Sequence, residues 1–144
     1  MLREWLQRLA ERWFRARERS VGERGERAAG AYLRHQKGHT ILQRNWRHGR
    51  DEIDLICRDG EILVFVEVKT RAAHALVGGY HAVDRRKKNA LLRASRGYIA
   101  QLPEKPRSFR FDIVEIEHEA GTTTALRHFE NVPLFGKSYR PRAH

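Results

Sequence analysis

The feature that most constrains this chain is a pair of apolar runs that each turn charged on one side. Ile62 to Thr70 reads Ile-Leu-Val-Phe-Val-Glu-Val-Lys-Thr, Glu52 to Arg58 reads Glu-Ile-Asp-Leu-Ile-Cys-Arg, and Asp59-Gly60 lies between them. Short runs rich in β-branched and aromatic residues are strands, and Asp-Gly supplies a tight hairpin turn. Side chains alternate faces along a strand, so Glu67 and Lys69 point the same way, as do Glu52 and Asp54 on the neighbouring strand. The face that begins with Leu63 and Phe65 therefore turns acidic and basic at its end. A carboxylate and an ammonium on a core-directed row are costly unless each is paired or bound to metal.

That placement suits hydrolysis of a phosphodiester. A hard cation such as Mg²⁺ takes one or two carboxylates, several waters and the substrate phosphate, and Asp54 and Glu67 fit that role. Lys69, beside the pair, is placed to position a water and to stabilise charge developing on phosphoryl oxygens. Glu26, on the preceding helix, adds a further carboxylate, either directly to metal or through water. No convincing nucleophile lies nearby: Cys57 falls on the other strand face from Asp54 and reads as a small buried hydrophobe. Glu52 reads as structural, and Asp112 as a group that orients Arg110 or closes the sheet.

Around this hairpin the spacing predicts helices at about 23–36 and 84–100, and strands at 39–46, 109–116 and 122–129. Leu2, Leu6, Leu9 and Trp13 recur at helical intervals, with Trp5 beside them, in an amphipathic helical extension over 1–20. Ser20 is a cap or hinge before the next helix. The extension reads as a helix docked on the domain or on a partner, and alternatively as a basic helix on a membrane surface. Residues 21–135 form one domain of fitting size for 144 residues, and 136–144 are a flexible basic tail. The histidines show no metal spacing and are assigned to the surface.

Lys and Arg total 29 against 18 Asp and Glu, a formal net charge of +11. Such a field concentrates polyanions, nucleic acid first among them, although an anionic membrane would also satisfy it. Arg85, Arg86, Lys87 and Lys88 open the helix after the strands, where free N–H groups already favour an anion, so Lys87 with its neighbours is a candidate phosphate contact. Arg71 reaches toward the same groove, as does His74. The lone Cys57 and the lack of a bilayer-length apolar run point to a reducing, cytoplasmic home without stable membrane insertion. No Gly-rich phosphate loop supports nucleotide hydrolysis.

Several stretches together resemble the YraN-like proteins, bacterial relatives of archaeal Holliday-junction resolvases in the PD-(D/E)xK nuclease superfamily. They are Gly25-Glu26-Arg27-Ala28-Ala29, Asn45-Trp46-Arg47, Glu52-Ile53-Asp54-Leu55-Ile56, Phe65-Val66-Glu67-Val68-Lys69-Thr70-Arg71, Ala82-Val83 with Lys87, and Arg110-Phe111-Asp112. The resemblance runs from Gly22 to Phe135, departs where Asp51 stands in place of the usual Gly, and leaves out the first 20 residues. It implies an α/β fold with a restriction-endonuclease-like three-layer core, a mixed β-sheet flanked by helices. It further implies metal binding by Asp54 and Glu67, catalysis by Lys69 and an accessory role for Glu26. The expected function is a Mg²⁺- or Mn²⁺-dependent endonuclease on structured or branched DNA, acting as a homodimer because symmetric cutting needs two sites. The alternative is a nucleic-acid-binding or adaptor module that keeps the fold without the chemistry.

Overall fold

The computed structural model describes residues 2–73 and 84–134. The expected loop around His74, the Ala82-Val83 pair and the basic tail lie outside those residues. Helix α1 (Leu2–His35) is followed by β1 (Thr40–His48), β2 (Asp51–Asp59), β3 (Ile62–Ala72), α2 (Arg85–Gln101), β4 (Ser108–Glu119) and β5 (Thr122–Phe129). The strands form one sheet in the order β1-β2-β3-β4-β5. The first three make the expected antiparallel meander, β3 and β4 run parallel across the α2 crossover, and β5 returns antiparallel. This is a mixed-sheet α/β fold, with α1 on one face and α2 on the other.

Strict alternation on β3 builds both faces of the core. Leu63 and Phe65 pack with Leu91, Ala94 and Tyr98 of α2, whereas Val64, Val66 and Val68 pack with Ala29 and Leu33 of α1. Truncating such a fully buried side chain typically costs about 2–5 kcal/mol, so either helix layer contributes a large share of a marginal total. Helix α2 starts where Asp84 accepts the Lys87 amide at 2.8 Å, a cap whose carboxylate offsets the basic first turn. It ends at Gln101, before Pro103 and Pro106, where Lys105 Nζ donates to the carbonyls of Ile99, Ala100 and Leu102.

The break expected at Ser20 is not formed: α1 is one helix of 34 residues. Ser20 and Gly22 are weak helix formers, yet extending an established helix needs no new nucleus, and only its second half is anchored to the sheet. Arg24 also donates to Ser20 Oγ at 3.1 Å, one turn back across the expected hinge. Of the docking expected for the first 20 residues, on the domain or on a partner, none on the domain is seen among the described residues, where 3–19 are all exposed. Among the described residues no helix is long and apolar enough to cross a membrane.

Candidate metal and phosphate site

The site lies where β2 and β3 part company. Their ladder ends at Leu55↔Val66, while β3 continues beside β4 to Ala72↔His118. Beyond that point the Val68 amide has no strand partner on the β2 side, and the Asp54 carboxylate takes its place, accepting the N–H on Oδ2 at 2.8 Å. Alternation on β2 breaks at the same residue: Ile53 packs on the α2 side and Leu55 on the α1 side. Asp54 thus occupies a gap in the sheet that groups from both helical layers can reach.

Glu67 comes from the α2-facing row of β3 and is only 5% exposed. Lys69 Nζ stands 3.3 Å and Lys87 Nζ 3.2 Å from its Oε1, so α2 brings its cation to the carboxylate that β3 buries. The other oxygen, Oε2, is buried with no hydrogen-bond partner. Leaving a buried carboxylate oxygen unsatisfied costs on the order of 1–3 kcal/mol, and such an atom calls for an explanation.

Glu26 approaches from the α1 side because of Gly25. A Cβ at Gly25 would sit 2.2 Å from Thr70 Oγ1, so only glycine lets the helix ride this close to β3. Asn45, held at a φ of 49°, turns its amide so that Nδ2 donates to Glu26 Oε2 at 2.9 Å and to Glu52 Oε1 at 3.2 Å. Burial pushes the Glu26 carboxyl above its ordinary range, opposed by that Asn45 hydrogen bond and reinforced by Glu52, Glu23 and Glu67. Asp54 is displaced further. Burial first, then the Glu67 charge, push it up to about 8 against the pull of the Val68 amide, with Glu26 adding to the rise. Like charges crowded in a desolvated gap hold on to protons unless a cation replaces them.

Among the described residues no three His, Cys, Asp or Glu side chains form a metal cage of their own. The pair that could hold an ion is Asp54 and Glu67, with the orphaned Glu67 Oε2 as its free oxygen; two carboxylates would suit a hard cation that keeps water and takes oxygen from its substrate. The remaining cations spread outward. Arg71, half-buried on the same β3 face, has a buried Nε without a partner, and Arg85 and Arg86 are exposed in the first turn of α2.

Other expectations resolve away from the site. Asp51, which stands where the family usually has Gly, accepts two hydrogen bonds from Arg93, at 3.0 and 3.1 Å, tying β2 to α2. Cys57 is buried, and burial pushes its thiol up to about 12, so it stays protonated. Two histidines expected on the surface are inside, His39 at 3% exposure and the His128 side chain at 5%. Asn45 escaped sequence reasoning although it lies within the Asn45-Trp46-Arg47 stretch; its signal was an Asn inside a strand, a residue that tolerates the left-handed region.

With this geometry in place, comparison with known proteins is decisive. The model of the "Uncharacterised protein family UPF0102" matches residues 25–116. The chain belongs to this family. UPF0102 is the YraN-like group of the PD-(D/E)xK nuclease superfamily, and its matched stretch holds Glu26, Asp54, Glu67, Lys69 and Lys87 but excludes the first half of α1. A UPF0102 protein of Nitratidesulfovibrio vulgaris is 44% identical over 76% of this chain and 80% of its own length. One of Symbiobacterium thermophilum is 46% identical over 69% and 83%, and one of Lawsonia intracellularis 38% over 78% and 83%. Among solved structures, the SfsA of Pyrococcus furiosus in complex with Ca²⁺ aligns over 75% of this chain and 63% of its own, at a TM-score of 0.38 and 13% identity. That last likeness is too distant to argue from.

Proposed function

We propose that this UPF0102 protein is a divalent-metal-dependent endonuclease for structured or branched DNA. The observation that carries the reading is the buried, partnerless Glu67 Oε2 beside an Asp54 pushed up to about 8. Asp54 and Glu67 would hold Mg²⁺ or Mn²⁺, and the ion would supply Lewis-acid polarisation of the phosphodiester. Lys69 and Lys87, both on Glu67 Oε1, are placed to face developing charge on the phosphoryl oxygens. Glu26, whose carboxyl burial raises above its ordinary range, would serve as an accessory acid or base. Arg71, Arg85 and Arg86 extend a cationic track toward flanking phosphates, a sequence-independent contribution to affinity that weakens with salt. Resolvase-like cutting of both strands requires two such sites, hence a homodimer.

The test is cleavage of a labelled four-way junction, a flap and plain duplex with Mg²⁺ or Mn²⁺, beside Glu67→Ala and Lys69→Ala. The reading expects cutting, strongest on a branched substrate, that both variants lose; intact DNA in every lane overturns it. A second reading, a DNA-binding adaptor without chemistry, draws on a specific feature: Lys69 and Lys87 already neutralise one Glu67 oxygen, and the described side chains form no cage of three acids. It expects salt-sensitive binding that neither EDTA nor Asp54→Ala alters.

A further inference from the structure

The first half of α1 carries a second, separate surface. Residues 3–19 are exposed all round, yet Trp5, Leu6, Leu9 and Trp13 form an apolar stripe along it, with Trp5 58% and Trp13 67% exposed. Apolar stripes on helices are normally covered by a core. Here no described part of the chain covers it.

The charges around the stripe say what does. Residues seven apart fall nearly in line on a helix. Arg12 and Arg19 share the line that borders the stripe on one side, and Arg3 and Arg17 the line on the other. Glu4, Glu11 and Glu18 share one line directly opposite. Four of the six arginines thus stand at the apolar–polar boundaries and the glutamates point away, with Arg8 and Arg15 beside them and Phe14 an exposed aromatic off the stripe. The Arg17 guanidinium lies over the Trp13 ring, 5.6 Å from its centroid, a cation–π contact that keeps this basic head beside the stripe.

This distribution separates the candidate occupants. A second copy of the helix, laid stripe to stripe in parallel or antiparallel, would set arginine against arginine on both flanks. Duplex DNA would meet the arginines but offers nothing to bury two tryptophans and two leucines. An anionic bilayer satisfies both at once: acyl chains take the stripe, headgroup phosphates take the boundary arginines, water takes the glutamates, and tryptophan favours the interface. We propose that the first half of α1 is a membrane-surface anchor that lies in the interface of anionic lipid without spanning it. Because α1 is continuous, the 13 residues from Trp13 to Glu26 set the candidate site about 20 Å along the axis from the anchor. The site then works on partners held near a membrane.

The experiment is co-sedimentation of the full chain with vesicles of phosphatidylcholine and phosphatidylglycerol, against pure phosphatidylcholine. Wild type is expected to bind the anionic vesicles with a blue shift in tryptophan emission, and to partition roughly a hundredfold more weakly onto neutral ones, given six arginines and three glutamates in the first 20 residues. Trp13→Glu should lose binding at least tenfold, and the double variant Arg3→Gln and Arg17→Gln should lose it on anionic vesicles only. Circular dichroism checks that each variant keeps its helix. Failure of wild type to bind anionic vesicles overturns the proposal, as does binding that Trp13→Glu leaves unchanged. So does a concentration-dependent dimer that Trp13→Glu dissolves, which would assign the stripe to a second copy.

Discussion

Two acids in this protein, one buried and one half-buried, live in opposite circumstances. Asp112, on β4, is fully buried, and every neighbour answers it: Arg110 donates to both oxygens at 3.0 and 3.3 Å, His128 Nε2 lies 2.8 Å away and the Asn131 amide donates at 2.9 Å. Burial alone would raise its carboxyl, but the bonds from His128, Arg110 and Asn131 hold it below the ordinary range. Asp54 has one amide, a buried acidic neighbour with a bare oxygen, and a carboxyl pushed up to about 8. One cluster is complete within the chain; the other leaves a buried oxygen bare, which a bound cation would satisfy under the proposed function. A buried charge that the fold fully satisfies closes a structure, tying β4 to β5 and, through Tyr32 on His128 Nδ1 at 3.2 Å, to α1. A buried charge left unsatisfied points outward, to a ligand.

The contrast can be broken most sharply by substitution. Glu67→Ala and Lys69→Ala should each lower metal-dependent DNA cleavage by about 10²–10³-fold or more while leaving the far-ultraviolet dichroism intact; residual cutting near wild type would detach the chemistry from this cluster. Asp112→Ala should do the reverse, destabilising by about 3–5 kcal/mol because it strands a buried Arg110 and His128, read as the urea midpoint. An unchanged midpoint would remove the structural role.

A finer cut comes from the helix that delivers Glu26. Gly25→Ala should cost about 1–3 kcal/mol through overpacking against Thr70 and lower cleavage as well. Adding Thr70→Ala should restore much of both, since it removes the atom 2.2 Å from the new Cβ. If the pair rescues stability but not cleavage, Glu26 placement needs more than clearance.

The smallest effect concerns protons. Folded Asp54 keeps its proton up to about pH 8, whereas the unfolded group releases it near 3.8, so the unfolded state binds fewer protons across that window and metal-free stability falls as pH rises through it. Asp112 has the opposite sign, contributing stability above its unfolded value and losing it as pH falls through its depressed folded value. Asp54→Asn should therefore raise the metal-free melting temperature at pH 8 by about 2–4 °C and flatten the decline between the unfolded value of 3.8 and about pH 8, as should added Mn²⁺ with wild type. A steeper decline in the variant would contradict the assignment.

Much of this was legible in the residues. The Asp59-Gly60 turn and the period of β3 placed Glu67 and Lys69 together on one row of the strand, whereas Lys87, read from the sequence as a phosphate contact, lies on the Glu67 carboxylate in the structure. What escaped reading depends on long-range geometry. The parting of β2 and β3 at Asp54, the close passage of α1 over Thr70 at Gly25 and the burial of His39 and His128 all need partners distant in sequence, which no local pattern names. The continuity of α1 through Ser20 and Gly22 escaped for another reason: weak local propensity loses to extension of a helix already anchored downstream.

The most direct test of the central claim is Mn²⁺ binding, followed by loss of the free-ion electron paramagnetic resonance signal, for wild type, Glu67→Gln and Asp112→Asn. The account predicts a site in wild type that Glu67→Gln abolishes and Asp112→Asn retains wherever it remains folded. Binding that survives Glu67→Gln, or no binding to wild type at millimolar Mn²⁺, would contradict it.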